Sequence, residues 1–455
     1  MPVLKRPALA IALACLAGTP AFAQSQTQPS SGSSNGPEEV VVTAQRQVQQ
    51  ERYVPITMTA ISPQKMEDAH LMSIESIGAV TPGLIFEAGN GFPQSYIRGI
   101  GANYVTPGLE NPVALYVDGA YVPRGAGTFF GLMDMGSVEV LKGPQGTLYG
   151  RNASGGAILM NTANPTDEYS VRTTAEYGSY DHFLGEAVVN IPVDDTFALR
   201  LAGRYYTDDG YQKNVTTGNH LKGDHGVDLR GKALWTPNDA FSALLTLEYS
   251  HDNSNSLSDG RTSSPPPLCA ACGIPGGNAN VGFYQTASDF EAPYISHSSS
   301  ANLDLKYHVG DLTFQSVTAY RDLFGTTSED NDMSALPLFV FQSGFGGKTF
   351  SEDAQVSSAY DGWFNFLAGV QYIHDDASDF AHLMGLGLGI PYGNTPARTD
   401  QDVTTKSFAA FAEVYIKPMD RMTITLGGRY SSDHRGIDTT INPVAQAIFN
   451  PAGTA

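Results

Sequence analysis

The residues best able to do chemistry in this chain are few and scattered. Cys269 and Cys272 bracket two alanines within a polar stretch. Thiols at that spacing close a short disulfide or supply half of a zinc site; with no second ligand pair nearby, the disulfide is favoured. His220 with His225, and His374 beside Asp375, are metal-ligand types, but histidines in polar segments commonly hold nothing, and no metal is assigned to them. Gly344-Phe345-Gly346-Gly347-Lys348-Thr349 imitates a phosphate loop, yet Gln342 stands where its first glycine belongs. The acidic runs Glu329-Asp330-Asn331-Asp332 and Asp375-Asp376 read first as solvated faces, with divalent-cation contact a minor reading. No nucleophile, base and orienting acid recur at a working spacing. No catalytic residue and no cofactor is therefore expected, and a hydrolase is the weaker alternative.

The elements that would position such residues are indicated by composition. Over 455 residues, 41% of the side chains are hydrophobic and only 16% charged, with 48 glycines and 10% aromatics. A soluble enzyme carries about a quarter charged residues and fewer glycines. The chain thus reads as turn-rich β-structure in at least two units. Its 46 acidic residues face 26 basic ones, a net charge of −20. Phosphate binding needs clustered Lys and Arg, so a nucleic-acid partner is excluded.

Residues 1–23 read as a signal peptide: Lys5 and Arg6 precede an apolar run from Ala8 to Ala17, and Ala21-Phe22-Ala23 offers a small-residue cleavage site. Lipoprotein processing at Cys15 is the weaker reading, since Ala12-Leu13-Ala14 lacks leucine at the usual place. No later run reaches about eighteen consecutive apolar residues, so a membrane could be crossed only by a barrel. Residues 24–47 form a flexible leader, because Gln, Ser, Thr, Gly, Asn and Pro dominate Gln24 to Pro37 and bury too little apolar surface to offset ordering entropy. The leader ends in Glu38-Glu39-Val40-Val41-Val42-Thr43-Ala44-Gln45. This β-branched run, exposed between polar flanks, is an edge strand or a docking strand that a partner captures by β-augmentation.

A mixed α/β domain is expected over 48–165. Ser62-Pro63-Gln64-Lys65 starts a helix with proline in its first turn, and helical spacing ends near Thr81-Pro82-Gly83. Strand-like runs follow at Ser95 to Arg98, Val113 to Val117 and Val138 to Leu141. From 166 to 455 the period becomes two. Phe197, Leu199, Leu201, Gly203 and Tyr205 oppose Arg200 and Arg204; Val227, Leu229, Ala233 and Trp235 oppose Asp228, Arg230 and Lys232. Counting such runs gives about eleven strands. Tight turns near 192–196, 237–240, 309–311, 360–363 and 418–421 alternate with long polar stretches at 208–224, 253–296, 325–347 and 377–404. Short turns on one side and long loops on the other favour an antiparallel transmembrane β-barrel over a soluble sandwich.

The run from Val138-Glu139-Val140-Leu141-Lys142-Gly143-Pro144-Gln145-Gly146-Thr147-Leu148-Tyr149-Gly150-Arg151 to Ile158 resembles the plug signature of TonB-dependent outer-membrane receptors. Ile97-Arg98-Gly99-Ile100-Gly101 and Ala114-Leu115-Tyr116-Val117-Asp118-Gly119 resemble two further plug motifs. Glu38, Glu39, Val40, Val41, Val42, Thr43, Ala44 and Gln45 resemble the family's TonB box, in the expected place between leader and plug. The resemblance covers residues 38–165 strongly and the strands beyond only in texture. It implies a barrel of roughly 22 strands filled by the plug. This chain supplies about half of them before Ala455 and ends without the terminal aromatic strand, which suggests a fragment or an interrupted gene.

The resemblance further implies a receptor of the bacterial cell outer membrane, embedded in outer-membrane lipid. It would carry out energised uptake of a scarce ligand, with a ferric siderophore the first candidate, driven by the periplasmic TonB energy-transducing complex. Receptors for glycans or aromatic compounds would share these motifs, and a non-transporting surface binding protein would not need the box. Arg98, Glu139 and Arg151 fall on the plug motifs and are candidates for ion pairs between plug and barrel. The inward faces carry Arg172, Arg200, Arg204, Arg230, Lys232, Lys306 and Arg429. Such a lumen suits anionic cargo or simply solvates a plug interface.

Overall fold

The computed structural model describes residues 41–47, 49–89, 92–102, 108, 110–124, 131–254, 281–330, 334–337, 339–384, 397–419 and 421–442. Two short strands open it, β1 (Val41–Val42) and β2 (Gln49–Gln50), paired antiparallel. The plug follows. It holds β3 (Met58–Ile61), α1 (Pro63–Asp68), α2 (Ile77–Val80), β4 (Leu84–Gly89), β5 (Phe92–Ile97), β6 (Val113–Val117), β7 (Ala120–Val122), β8 (Met135–Lys142), α3 (Gly146–Tyr149) and β9 (Gly156–Thr162).

Helix α1 starts where the sequence indicates, with the Ser62 hydroxyl accepting from the Lys65 N–H at 3.3 Å and Pro63 in the first turn. Five strands make a mixed sheet in the order β3-β8-β9-β6-β7, with β6 and β9 parallel. Period-two reasoning overlooks β9 because both its faces are buried, so Gly156-Ala157-Ile158-Leu159-Met160 has no polar alternation to display. Gly156 opens that strand at positive φ, and a Cβ there would collide with the Leu141 carbonyl. Ile61, Ile77, Ile97, Val138, Val140 and Ile158 form the centre of the plug core.

The rest of the chain makes one antiparallel sheet of eleven strands in chain order. They are β10 (Ser170–Tyr177), β11 (Phe183–Asp194), β12 (Phe197–Thr207), β15 (His225–Asn238), β16 (Phe241–Ser254), β18 (Tyr294–Val309), β19 (Leu312–Asp330), β20 (Val340–Ser358), β21 (Phe364–Met384), β22 (Ala397–Met419) and β23 (Met422–Ile441). Short strands β13 (Gln212–Asn214), β14 (His220–Leu221) and β17 (Gln285–Thr286) join two excursions on the long-loop side. The turn-side ends fall within a few residues of expectation. The loop-side ends of β19 to β22 run farther, because beyond the membrane both faces are wet and pairing continues without an apolar face to mark it.

Pairing fixes which side chains face where. Leu201 is opposite Val189 and Gly231, whereas Arg204 is opposite Glu186 and Asp228. Leu201 and Leu229 are each 50% exposed on the outer face, while Arg204, Arg230 and Lys232 are buried against the plug. Exposed apolar residues such as Val171, Leu247, Val370 and Leu426 continue the outer band, and Trp235, Tyr307, Phe314 and Trp363 border it near the tight turns. An apolar band with an aromatic border is the lipid-facing surface of a barrel wall. Among the described residues no helix is long and apolar enough to cross a membrane.

Candidate functional site

The segment from Val41 to Gln45 is not the free strand that its polar flanks suggest. Val42, Ala44 and Gln45 are buried. A turn closed by the Arg46 N–H on the Thr43 carbonyl at 2.8 Å folds the chain back so that β1 can pair with β2. Arg46 takes a left-handed backbone there, which a non-glycine residue adopts only at a cost.

Three contacts clasp the segment. The Thr43 N–H donates to both Glu139 oxygens at 2.8 and 3.0 Å, and its hydroxyl donates to Oε1 at 2.9 Å. The Tyr149 hydroxyl donates to the Ala44 carbonyl at 3.0 Å. Arg46 Nη1 binds Asp353 of β20 at 2.7 Å, with its guanidinium 5.1 to 5.9 Å from the rings of Tyr116, Tyr149 and Phe411. Burial pushes the Glu139 carboxyl up, and the bonds from Thr43 offset part of that shift. Burial alone would depress Arg46, but Asp353 holds it above its usual value. The short segment is thus held by side chains of the plug and of β20.

A cavity of about 740 Å³ lies between this segment, the plug sheet and β16, β18, β19 and β20. Thr43, Arg46 and Gln47 form part of its wall, and Lys306, Thr313 and Ser357 place it toward the tight turns. Elsewhere plug and wall meet through charge pairs. Asp134 accepts from Arg200 at 2.6 and 2.7 Å, Asp118 from Lys232 at 3.2 Å, and Arg124 of the plug binds Asp375 at 2.7 Å. Arg230 donates to the Met133 carbonyl while pairing with Glu248 at 2.7 Å, and Arg204 pairs with Asp228. Most of the lumen-facing bases are therefore paired with acids of the plug and of neighbouring strands, whereas Arg429 donates to Gln371 Oε1 at 2.7 Å and has no acid partner among the described residues. The expectation of a basic lumen gives way to a balanced one.

Two family models match: the TonB-dependent Receptor Plug Domain at residues 50–157 and the TonB dependent receptor-like β-barrel at residues 235–453. The chain belongs to the TonB-dependent receptors. Among curated proteins, this receptor is 32% identical to the pesticin receptor of Yersinia pestis over 206 residues, covering 44% of this chain and 29% of that protein. It is 27% identical over 284 residues to the catecholate siderophore receptor Fiu of Escherichia coli K12, covering 56% and 33%. The chain thus spans about a third of the length of these relatives. Among solved structures, the ferric yersiniabactin uptake receptor FyuA of Yersinia pestis superposes with a TM-score of 0.67 at 18% identity, over 85% of this chain and 61% of that one. The ferripyoverdine receptor of Pseudomonas aeruginosa gives 0.69 at 16% identity, over 89% and 55%. At these identities the superpositions speak for the fold. The family consists of receptors and transporters of the bacterial outer membrane.

Within this receptor the motif residues do not make the plug-to-barrel ion pairs expected of them. Glu139 is turned onto Thr43, because β8 presents it toward the clasped segment. Arg151 binds Glu110 of the plug at 2.7 Å; Glu110 in turn meets Arg435 of β23 at 3.4 Å, so the contact with the wall is indirect. Arg98 is exposed at positive φ in the turn after β5 and makes no ion pair among the described residues. The pairs that do join plug and wall use Glu110, Asp118, Asp134, Arg124 and Arg46. Asp118 lies inside a recognised motif, but nothing in the sequence aligned it with Lys232. Cys269, Cys272, Glu38, Glu39 and Val40 lie outside the described residues, as do Asn331 and Asp332. His225 meets the Thr207 hydroxyl, and His374 meets Asp376 at 3.1 Å; among the described residues no group of three or more metal-ligand side chains converges.

Proposed function

We propose that this receptor takes up a ferric siderophore by energised transport. In this reading residues 38–45 are the TonB box, and the periplasmic TonB complex captures Val40-Val41-Val42 by strand addition. The clasp carries the reading: a β-branched segment is tethered beside a cavity at the turn-side mouth, by contacts that a pull can break singly. Strand addition draws its affinity from main-chain hydrogen bonds, and the β1 main chain is committed only to the two-residue strand β2. Withdrawing Thr43 and Arg46 would take away part of the cavity wall and open a route past the plug. The charge-paired interface supports the same reading, since a plug that must move needs polar, breakable contacts.

The cargo rests on the relatives, which are named as receptors for a catecholate siderophore, ferric yersiniabactin and ferripyoverdine. The balanced lumen adds no preference for an anion. No covalent step is needed, so the work is binding and gating, without enzymatic chemistry. The test is uptake of radioiron-loaded siderophore by iron-starved cells that express this receptor, with and without a protonophore. Val41→Pro removes a backbone donor needed for strand addition. It is expected to abolish uptake while surface binding persists. Equal loss of binding and uptake, or uptake indifferent to the protonophore, would overturn the proposal.

A further inference from the structure

Arg429 is set apart from the other lumen-facing bases by what it binds. Its Nη2 donates to Gln371 Oε1 at 2.7 Å and its Nε to the Ser431 hydroxyl at 3.0 Å, both neutral groups. The register opposes Arg429 to Phe411 of β22, and Phe411 to Gly369 of β21. Reaching Gln371 therefore carries the side chain across β22, away from the edge of the sheet. The guanidinium lies 5.6 Å from the centre of the Phe411 ring, the same ring that Arg46 approaches to 5.1 Å. It also lies against Gly150, where a Cβ would collide with it, and Gly150 follows Tyr149, whose hydroxyl holds Ala44.

One carboxylate serves both guanidiniums. Asp353 pairs with Arg46 and accepts from Gln371 Nε2 at 3.1 Å, so the Gln371 amide stands between Asp353 and Arg429 as a neutral spacer. Arg46 Nε and Nη2 and Arg429 Nη1 are buried with no hydrogen-bond partner among the described residues. A guanidinium cannot shed its proton to relieve this crowding. The three ionised side chains thus sum to a positive charge while Arg46 is seated and to zero once it leaves. Where water is largely excluded, that difference is felt as repulsion in the closed state.

We propose that Arg429 loads the clasp for release: set against Arg46 at the Phe411 ring, its charge makes the seated position of Arg46 less stable, and it remains to face Asp353 when Arg46 is withdrawn. Arg429 is a positioning residue, since it touches neither the main chain of residues 41–45 nor cargo and acts through Arg46. The inference rests on the reading of residues 38–45 as the segment that is pulled. A clasp loaded in this way stays shut at rest, through Glu139, Tyr149 and Asp353, and yields to a smaller force than those contacts alone would require.

Amide hydrogen exchange of the receptor in lipid nanodiscs tests this with neither cargo nor the energising partner present, so it can fail while energised uptake stands, and uptake can fail while it stands. Arg429→Gln keeps a hydrogen-bonding side chain and removes the charge. Protection across residues 41–47 is expected to rise about tenfold, the scale of one like-charge repulsion in a partly dry site, with β8 and β9 unchanged. Arg429→Lys is expected to restore the wild-type protection. A side chain that merely packed against Phe411 would give the opposite sign, because its loss would loosen the segment. In an Arg46→Gln receptor, where no second charge remains, Arg429→Gln is expected to leave protection unchanged. Should Arg429→Gln fail to fold, Arg429→Met, which keeps the stem over Phe411, carries the same comparison. Lowered or unchanged protection in the uncharged variant, or an equal rise with and without Arg46, would overturn the proposal.

Discussion

Replacing Thr43 by Val removes the hydroxyl contacts of the clasp, the bond to Glu139 and a longer one accepted from Asn161 Nδ2 at 3.3 Å. The side chains are nearly the same size, so the change removes the hydroxyl that donates to Glu139 Oε1 at 2.9 Å and leaves the backbone N–H in place at 2.8 and 3.0 Å. A hydrogen bond to a charged group contributes about 1.5–3 kcal/mol, and the buried carboxylate keeps its other donors, so the lower half of that range applies. At about 1.4 kcal/mol per factor of ten, the segment should open roughly ten to thirty times more often. Amide hydrogen exchange across residues 41–47 measures this directly, with β8 and β9 as internal references. Protection should fall by that factor in the segment and stay unchanged in the plug sheet. Glu139→Gln should have the larger effect, because the new amide turns an N–H toward Thr43's donors. Unchanged protection in Thr43→Val, or an equal fall throughout the plug, would refute the clasp as a separate opening unit.

Arg46→Ala strands Asp353 in a buried site with Gln371, at 3.1 Å, the one remaining side-chain donor among the described residues; the expected loss is about 3–5 kcal/mol, and it should shrink when Asp353→Asn is added, as a thermal-unfolding double-mutant cycle would register. Leu201→Lys, on the lipid face, should cost about 2–4 kcal/mol and reduce insertion, whereas Arg204→Glu should insert and instead set two carboxylates face to face at Asp228 of β15, loosening the wall where it meets the plug; the opposite pattern in membrane fractions would put the register one residue out. A cysteine at Phe283 should label from outside intact cells and one at Asp311 should not; the reverse would invert the topology.

Much of the wall was legible in the sequence, because a barrel strand in lipid must be apolar on one face and meets plug and water on the other. That contrast made eleven strands countable, put Leu201 outside and Arg204 inside, and located the tight turns. The plug was recognised from its motifs, since glycine-rich turns at fixed spacing leave a dense trace. Strand β9 escaped because burial on both faces erases alternation. Charge partners escaped for a different reason. Asp118 and Lys232, or Arg46 and Asp353, lie far apart in the chain, and only the seating of the plug against the wall brings them within bonding distance. Strand alternation therefore indicated that bases line the lumen, and tertiary structure decided that acids pair with most of them. The same holds for residues 41–45: the sequence marked a β-branched strand with polar flanks, and three side chains from plug and wall decided that it is held rather than free.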